Sequence, residues 1–280
     1  MTNLEAVVLG IVEGLTEYLP VSSTGHMIVT QGLMGFKSSS FTNIFLINIQ
    51  FGAILAVLVI YFKRFFQSLD FYKSLIIAFI PAAIFGFLLN DFIDGLLESV
   101  TTVAIMLVLG GLVMIWTDRK FKHLMIDEAP IEDEFDDNGN KIEVIPASPS
   151  WKQSLIIGII QCFAMIPGVS RSAATIIGGL TQGLSFRKSA EYSFFLAVPT
   201  ISAAALYKTY KGLDAIKGAD IQQLLIGNLV SFVVAIIAIR FFISTLNKFG
   251  LRYFGYYRIA LGLFLLIGIY VFNLPFKILN

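Results

Sequence analysis

Glu13 and Glu17 stand four residues apart and open the run EGLTEYLPVSSTGH, which ends on His26. In a helix that spacing puts both carboxylates on one face, one turn apart, so the two share a site. Close carboxylates in poorly hydrated surroundings favour sharing a proton, which supplies a donor or acceptor near neutral pH; the alternative is a divalent cation, Mg2+ or Ca2+, held by Glu13 and Glu17. The helix has to end near Pro20, and Ser22, Ser23, Thr24, Gly25 and His26 follow directly. Such a loop can hold a nucleophile beside a base, whereas a lone histidine there would do no more than cap backbone carbonyls.

A second polar cluster, PGVSRSAAT, lies in the other half of the chain, from Pro167 to Thr175. Pro167 and Gly168 break one helix, and Ser170, Arg171 and Ser172 precede the apolar run that starts the next. Exposed amides at a helix N-terminus, hydroxyls and a guanidinium together make an anion site, and phosphate matches that geometry. The competing reading is that Arg171 neutralises Glu13 or Glu17 as a structural pair, and the two are compatible if a substrate phosphate exchanges for the carboxylate.

The elements that carry these clusters belong to a membrane. The chain has 280 residues, 56% of them hydrophobic and 14% charged, with mean hydropathy +0.80, well above the apolar share of a soluble domain. A net charge of +1 argues against nucleic acid as a partner. The single cysteine, Cys162, excludes an intrachain disulfide and reads as a small buried hydrophobe. The start MTNLEAVVLG lacks a basic n-region, so the first segment is expected to stay in the mature protein.

Spans of about 20 apolar residues are expected near 44–62, 73–90, 100–116, 191–207, 222–243 and 256–275, the fourth kinked or partly broken at Pro199. The stretches 4–34 and 151–184 are apolar but interrupted midway by Pro, Gly, Ser and Thr, and are read as re-entrant hairpins with the motifs at their tips. Gly10, Ile11, Val21, Ser22 and Ile28 fall on Gly158, Ile159, Val169, Ser170 and Ile176 at one common offset, and Phe45, Leu46 and Ala53 fall on Phe195, Leu196 and Ala203 at another. The expected fold is therefore an all-α polytopic membrane protein with six transmembrane helices, two re-entrant helical hairpins and an inverted-topology internal repeat. Its parts are a first repeat over 1–117, a hydrophilic linker over 118–150 and a second repeat over 151–280. The stretch 118–148 holds nine acidic and four basic residues and the turn-former Asn138-Gly139, after which Lys141 to Val144 suits a short strand. Lys63, Arg64 and Lys73, then Arg119, Lys120 and Lys122, and later Arg187, Lys188, Arg240, Lys248, Arg252 and Arg258 place their loops in the cytoplasm, with Lys208, Lys211 and Lys217 dissenting. Both termini then face outward, and so does the active cavity.

Both motifs, EGLTEYLPVSSTGH and PGVSRSAAT, resemble those of the undecaprenyl-diphosphatase family, also called bacitracin-resistance proteins, and the resemblance covers essentially the whole chain. It implies a bacterial plasma-membrane enzyme that hydrolyses the terminal phosphate of undecaprenyl diphosphate, a polyprenyl lipid surrounded by membrane lipids, and returns the monophosphate carrier for cell-wall synthesis. On that reading Arg171, with Ser170 and Thr175, clamps the diphosphate, helped by Ser22, Thr24 and Ser172. Ser23 attacks with His26 or a glutamate as base, or His26 attacks, or water does so directly. A homodimer is left open. The rival class is a lipid transporter or flippase, which inverted repeats with broken helices also serve.

Overall fold

The computed structural model describes residues 1–35, 39–65, 69–97, 99–125, 134–135, 141–142, 148–212, 214, 216, 218–272 and 274. Twelve helices follow in chain order among these residues: α1 (Asn3–Thr16), α2 (Ser23–Met34), α3 (Ser40–Asn48), α4 (Gln50–Ile60), α5 (Leu69–Leu88), α6 (Asn90–Leu97), α7 (Val100–Lys120), α8 (Trp151–Gln161), α9 (Arg171–Thr181), α10 (Phe186–Lys211), α11 (Ile221–Phe249) and α12 (Arg252–Tyr270). Two two-residue strands, Glu134–Phe135 and Lys141–Ile142, pair antiparallel within the linker. The second begins at the predicted Lys141, while the Asn138-Gly139 turn lies outside the described residues.

Among the described residues five segments are long and apolar enough to cross a membrane: Ser40–Ile60, Leu69–Leu88, Val100–Lys120, Ile221–Leu246 and Arg252–Tyr270. The protein is thus a multi-pass helical membrane protein. A helix also covers the remaining expected span, the fourth at 191–207, and this is α10, which runs unbroken through Pro199. The expected break at that proline does not occur. The first half of α10 is buried almost continuously from Ser189 to Ala197, because it packs against α4, α5, α9 and α11 instead of lipid. A helix facing protein on most sides can carry polar residues that pair within the bundle, such as Glu191 with Arg187 and Ser193 with Arg171 and Thr175, which lowers its hydropathy.

The helices are built around close backbone approaches. α1 lies on α11 and α8 on α5. A Cβ at Gly10 would come within 2.8 Å of the Gly227 carbonyl, and one at Gly158 would collide with the Ala78 carbonyl. α7 lies on α12 in the same way, where a Cβ on Gly111 would meet the Gly255 carbonyl at 2.6 Å and a Cβ on Gly255 the Gly111 carbonyl at 2.7 Å. Small residues at helix interfaces let dispersion and backbone contacts act where no hydrophobic drive exists in lipid. An aromatic chain ties the rest together: Tyr18 against Phe194, Phe194 against Phe242, and Phe242 against Phe254, with centroids 5.2, 6.0 and 5.4 Å apart.

Two boundaries move. α7 continues through Asp118 to Lys120, so the linker starts later than 118, and Asp118 is buried rather than solvated. Its carboxylate accepts from the Leu251 amide at 2.6 Å and the Arg252 amide at 3.3 Å, closing the start of α12 from outside that helix. The expected loop 91–99 is mostly the short helix α6.

Candidate active site

Each motif is a break between two helices. α1 starts on a capping box of Thr2 and Glu5, and α8 on one of Ser150 and Gln153. α1 ends at Glu17, α8 passes into a single 3-10 turn over Cys162–Met165, and the following helices restart at Ser23 and Arg171. Their N-caps are Ser22, with φ 71°, and Ser170, with φ 76°, the two non-glycine residues in the left-handed region among the described residues. Each hydroxyl accepts from the amide three residues on, Gly25 or Ala173. A serine held there costs on the order of 1–2 kcal/mol, and persists because the surrounding structure fixes both tips.

The tips meet at Glu17. Its Oε1 accepts from Arg171 Nη2 at 2.9 Å, and its Oε2 accepts from the Ser23 hydroxyl at 3.0 Å. Two residues that each begin a helix after a break therefore converge on one carboxylate, across 154 residues of sequence. Glu17 is 8% exposed and Glu13 1% exposed, and Glu13 Oε1 is buried with no hydrogen-bond partner among the described residues. Arg171 Nη1 donates to the Ser193 carbonyl at 2.9 Å and to its hydroxyl at 3.2 Å. Arg171 also lies over the Tyr18 ring, 5.7 Å from its centroid, while its Nε is buried without a partner among the described residues. The guanidinium edge formed by Nε and Nη2 thus carries one carboxylate oxygen where two acceptors would fit.

The other predicted residues divide by what their side chains touch. Ser172 donates to the Tyr18 carbonyl at 2.8 Å, and the Thr175 hydroxyl pairs with the Ser193 hydroxyl at 2.6 Å and lies 2.9 Å from the Arg171 carbonyl, so both hydroxyls brace Arg171 and Tyr18. Ser22 and Ser170 are spent as N-caps. Thr24 is half-buried beside Ser23 on the first turn of α2. His26 bonds neither glutamate nor Arg171: Nδ1 pairs with the Ser22 carbonyl at 2.8 Å and Nε2 with the Tyr257 hydroxyl at 2.7 Å. Among the described residues no group of three or more His, Cys, Asp or Glu side chains gathers.

One residue of the site was placed elsewhere by the charge pattern. Arg258 is not in a cytoplasmic flank; it is 0% exposed and joins the two tips. Its Nη1 donates to the Val169 carbonyl at 2.9 Å and the Pro20 carbonyl at 3.4 Å, and its Nη2 to the Gly168 carbonyl at 2.7 Å and the Met106 carbonyl at 3.2 Å. Gly110 makes room for it, since a Cβ there would run into the guanidinium. The signal was present in the sequence: an arginine inside the apolar stretch 256–275 cannot stay in lipid unless its charge is satisfied within the bundle. Ser193, Tyr18 and Tyr257 carried no such signal.

A multi-pass helical membrane protein in which two polar helix breaks close on an ion-paired carboxylate is the class that this fold and site define. A family model described as bacitracin resistance protein BacA matches residues 6–264, and the chain belongs to that family. It is similar to proteins named undecaprenyl-diphosphatase: 50% identical to one from Bdellovibrio bacteriovorus over 96% of this chain and 97% of that one. It is 49% identical to one from Flavobacterium johnsoniae over the full length of both, and 41% identical to one from Aquifex aeolicus over 94% of this chain and 97% of that one.

Proposed function

We propose that this protein hydrolyses undecaprenyl diphosphate to undecaprenyl phosphate and inorganic phosphate, recycling the lipid carrier for cell-wall synthesis and conferring bacitracin resistance. The observation that carries the reading is the Arg171–Glu17–Ser23 arrangement, supported by family membership and the names of the relatives. The terminal phosphoryl group takes the Nε and Nη2 edge of Arg171 in place of Glu17 Oε1, and the guanidinium stabilises the charge that builds on the transferring group. Ser23 is the nucleophile and Glu17 Oε2, already accepting its hydrogen bond, receives its proton. The Oγ–P bond forms as the bond from that phosphorus to the bridging oxygen breaks, and undecaprenyl phosphate leaves. Water then attacks the phosphoserine and releases phosphate. Ser172, Thr175 and Ser193 hold Arg171 in register, and Ser22, Thr24 and Ser170 present the two helix starts to the phosphates.

Glu13 and Glu17 also suit a divalent cation such as Mg2+ or Ca2+: Glu13 Oε1 is buried and unpaired, and carboxylate oxygens facing a diphosphate are the hard donors such ions take. A cation there would neutralise phosphate charge. Phosphate release in EDTA, with and without restored Mg2+ or Ca2+, tests it, and equal rates remove the ion from the site.

The same reading includes the finer architecture. We infer six spans, with α10 added to the five long apolar ones, and two re-entrant hairpins in inverted repeats. α1, α2 and α8, with 14, 12 and 11 residues, reach only about 17–21 Å, short of a hydrocarbon core of about 30 Å. The repeat is supported by equivalent capping boxes, by equivalent left-handed serines, and by α1 lying on α11 as α8 lies on α5. The plasma membrane is the location, with both termini and the cavity on the extracytoplasmic side. The transporter alternative draws on architecture alone, which does not decide function.

Phosphate release from undecaprenyl diphosphate by the purified protein in detergent is the direct test. Absence of release overturns the activity, and wild-type release by Ser23→Ala overturns the assigned nucleophile.

A further inference from the structure

His26 is held from both sides. A backbone carbonyl can only accept, so the 2.8 Å contact with Ser22 O puts the ring proton on Nδ1. In the neutral imidazole Nε2 is then bare and accepts from the Tyr257 hydroxyl at 2.7 Å. The rings also stack, with centroids 5.5 Å apart and planes 13° from parallel. Ser22 is the strained N-cap of α2, and Ser23 lies three residues before His26 on that helix, so the two side chains share a face. Tyr257 is half-exposed and comes from α12, next to the Arg258 that joins the tips.

We propose that Tyr257 is a positioning residue for the phosphatase reaction: its hydroxyl, donating to Nε2, and its stacked ring hold the imidazole, which the Ser22 carbonyl keeps as the Nδ1–H tautomer, in its orientation one turn from Ser23. The inference rests on the phosphatase reading and on a role for His26 in it. Without the tyrosine hydroxyl the ring keeps its Ser22 bond but loses the group that defines where Nε2 points. The neighbouring Arg258 donates to backbone carbonyls and to the Met114 sulfur, and not to the imidazole.

The test uses Tyr257→Phe, which removes one oxygen at a half-exposed position and keeps the ring stack, in the full-length protein in detergent. Activity is expected to fall in kcat by about tenfold, the equivalent of one hydrogen bond, with KM within about twofold and the melting temperature unchanged. In protein labelled with 15N-histidine, with His123→Gln leaving His26 alone, the wild type should show a protonated Nδ1 and a bare Nε2. Tyr257→Phe should move the Nε2 resonance. His26→Ala with Tyr257→Phe should be no slower than His26→Ala alone. An unchanged kcat, an unchanged Nε2 resonance, a proton found on Nε2, or additive losses in the double variant each overturns the proposal. A wild type that releases no phosphate overturns the phosphatase reading instead, and in that case the resonances alone decide whether Tyr257 holds the ring through Nε2.

Discussion

Glu17 is the residue on which both tips depend, because it accepts from a hydroxyl of one and a guanidinium of the other. Glu17→Gln keeps shape but cannot receive the Ser23 proton, and Arg171→Ala removes the clamp. Phosphate release should fall by about 10² or more in each, with the melting temperature in detergent close to wild type. Near-wild-type rates in either variant would remove that residue from the site. Ser22 and Ser170 are a residue-scale case of opposed terms, a favourable N-cap against an unfavourable φ. Glycine at an N-cap loses only a few tenths of a kcal/mol relative to serine and relieves the left-handed strain, whereas alanine loses the cap and keeps the strain. Ser170→Gly should therefore melt above Ser170→Ala, and a reversed order would show that the strain is not felt.

At the scale of elements, α12 holds the break-and-restart geometry together without contributing a motif. Arg258 reaches carbonyls of both tips, and removing it strands several buried acceptors at about 1–3 kcal/mol each. The start of α12 is in turn fixed by Asp118 from α7, whose carboxylate serves the amides that the helix itself leaves unpaired. Gly250, with φ 70°, brings the chain against that carboxylate and leaves no room for a side chain. Asp118→Ala should lower stability by about 1–2 kcal/mol, seen as a lower melting temperature, while phosphate release well below that temperature stays near wild type. A loss of activity without a loss of stability would place Asp118 in the chemistry instead.

For the whole molecule, the proposed orientation rests on the distribution of basic residues among the loops. Single cysteines at Asp94 and Asn138 in a Cys162→Ser background should differ on intact cells, the first reacting with an impermeant thiol reagent and the second protected. Equal labelling or the reverse pattern refutes an outward-facing cavity. The sheath of exposed Leu, Ile, Val and Phe side chains along α5, α7, α11 and α12 is the surface a bilayer covers, while the polar groups of the tips are withdrawn from it.

The sequence determined the membrane setting, the positions of the five long apolar helices and both motifs, because each rests on local information: apolar runs of bilayer length, helix breakers, and polar residues where lipid makes them costly. It also offered Arg171 one of two partners, Glu13 or Glu17, since opposite charges in an apolar chain have little else to pair with. Tertiary structure alone decided which glutamate takes the arginine, that Ser172 and Thr175 brace rather than face the cavity, and that His26 turns to Tyr257. The same holds for α10, unbroken at Pro199 because packing on several sides holds the helix through one missing amide. Arg258 marks the boundary between the two: its charge announced that it must be buried and satisfied, but apart from the Met114 sulfur its partners are backbone carbonyls, which every residue owns and no residue type reveals.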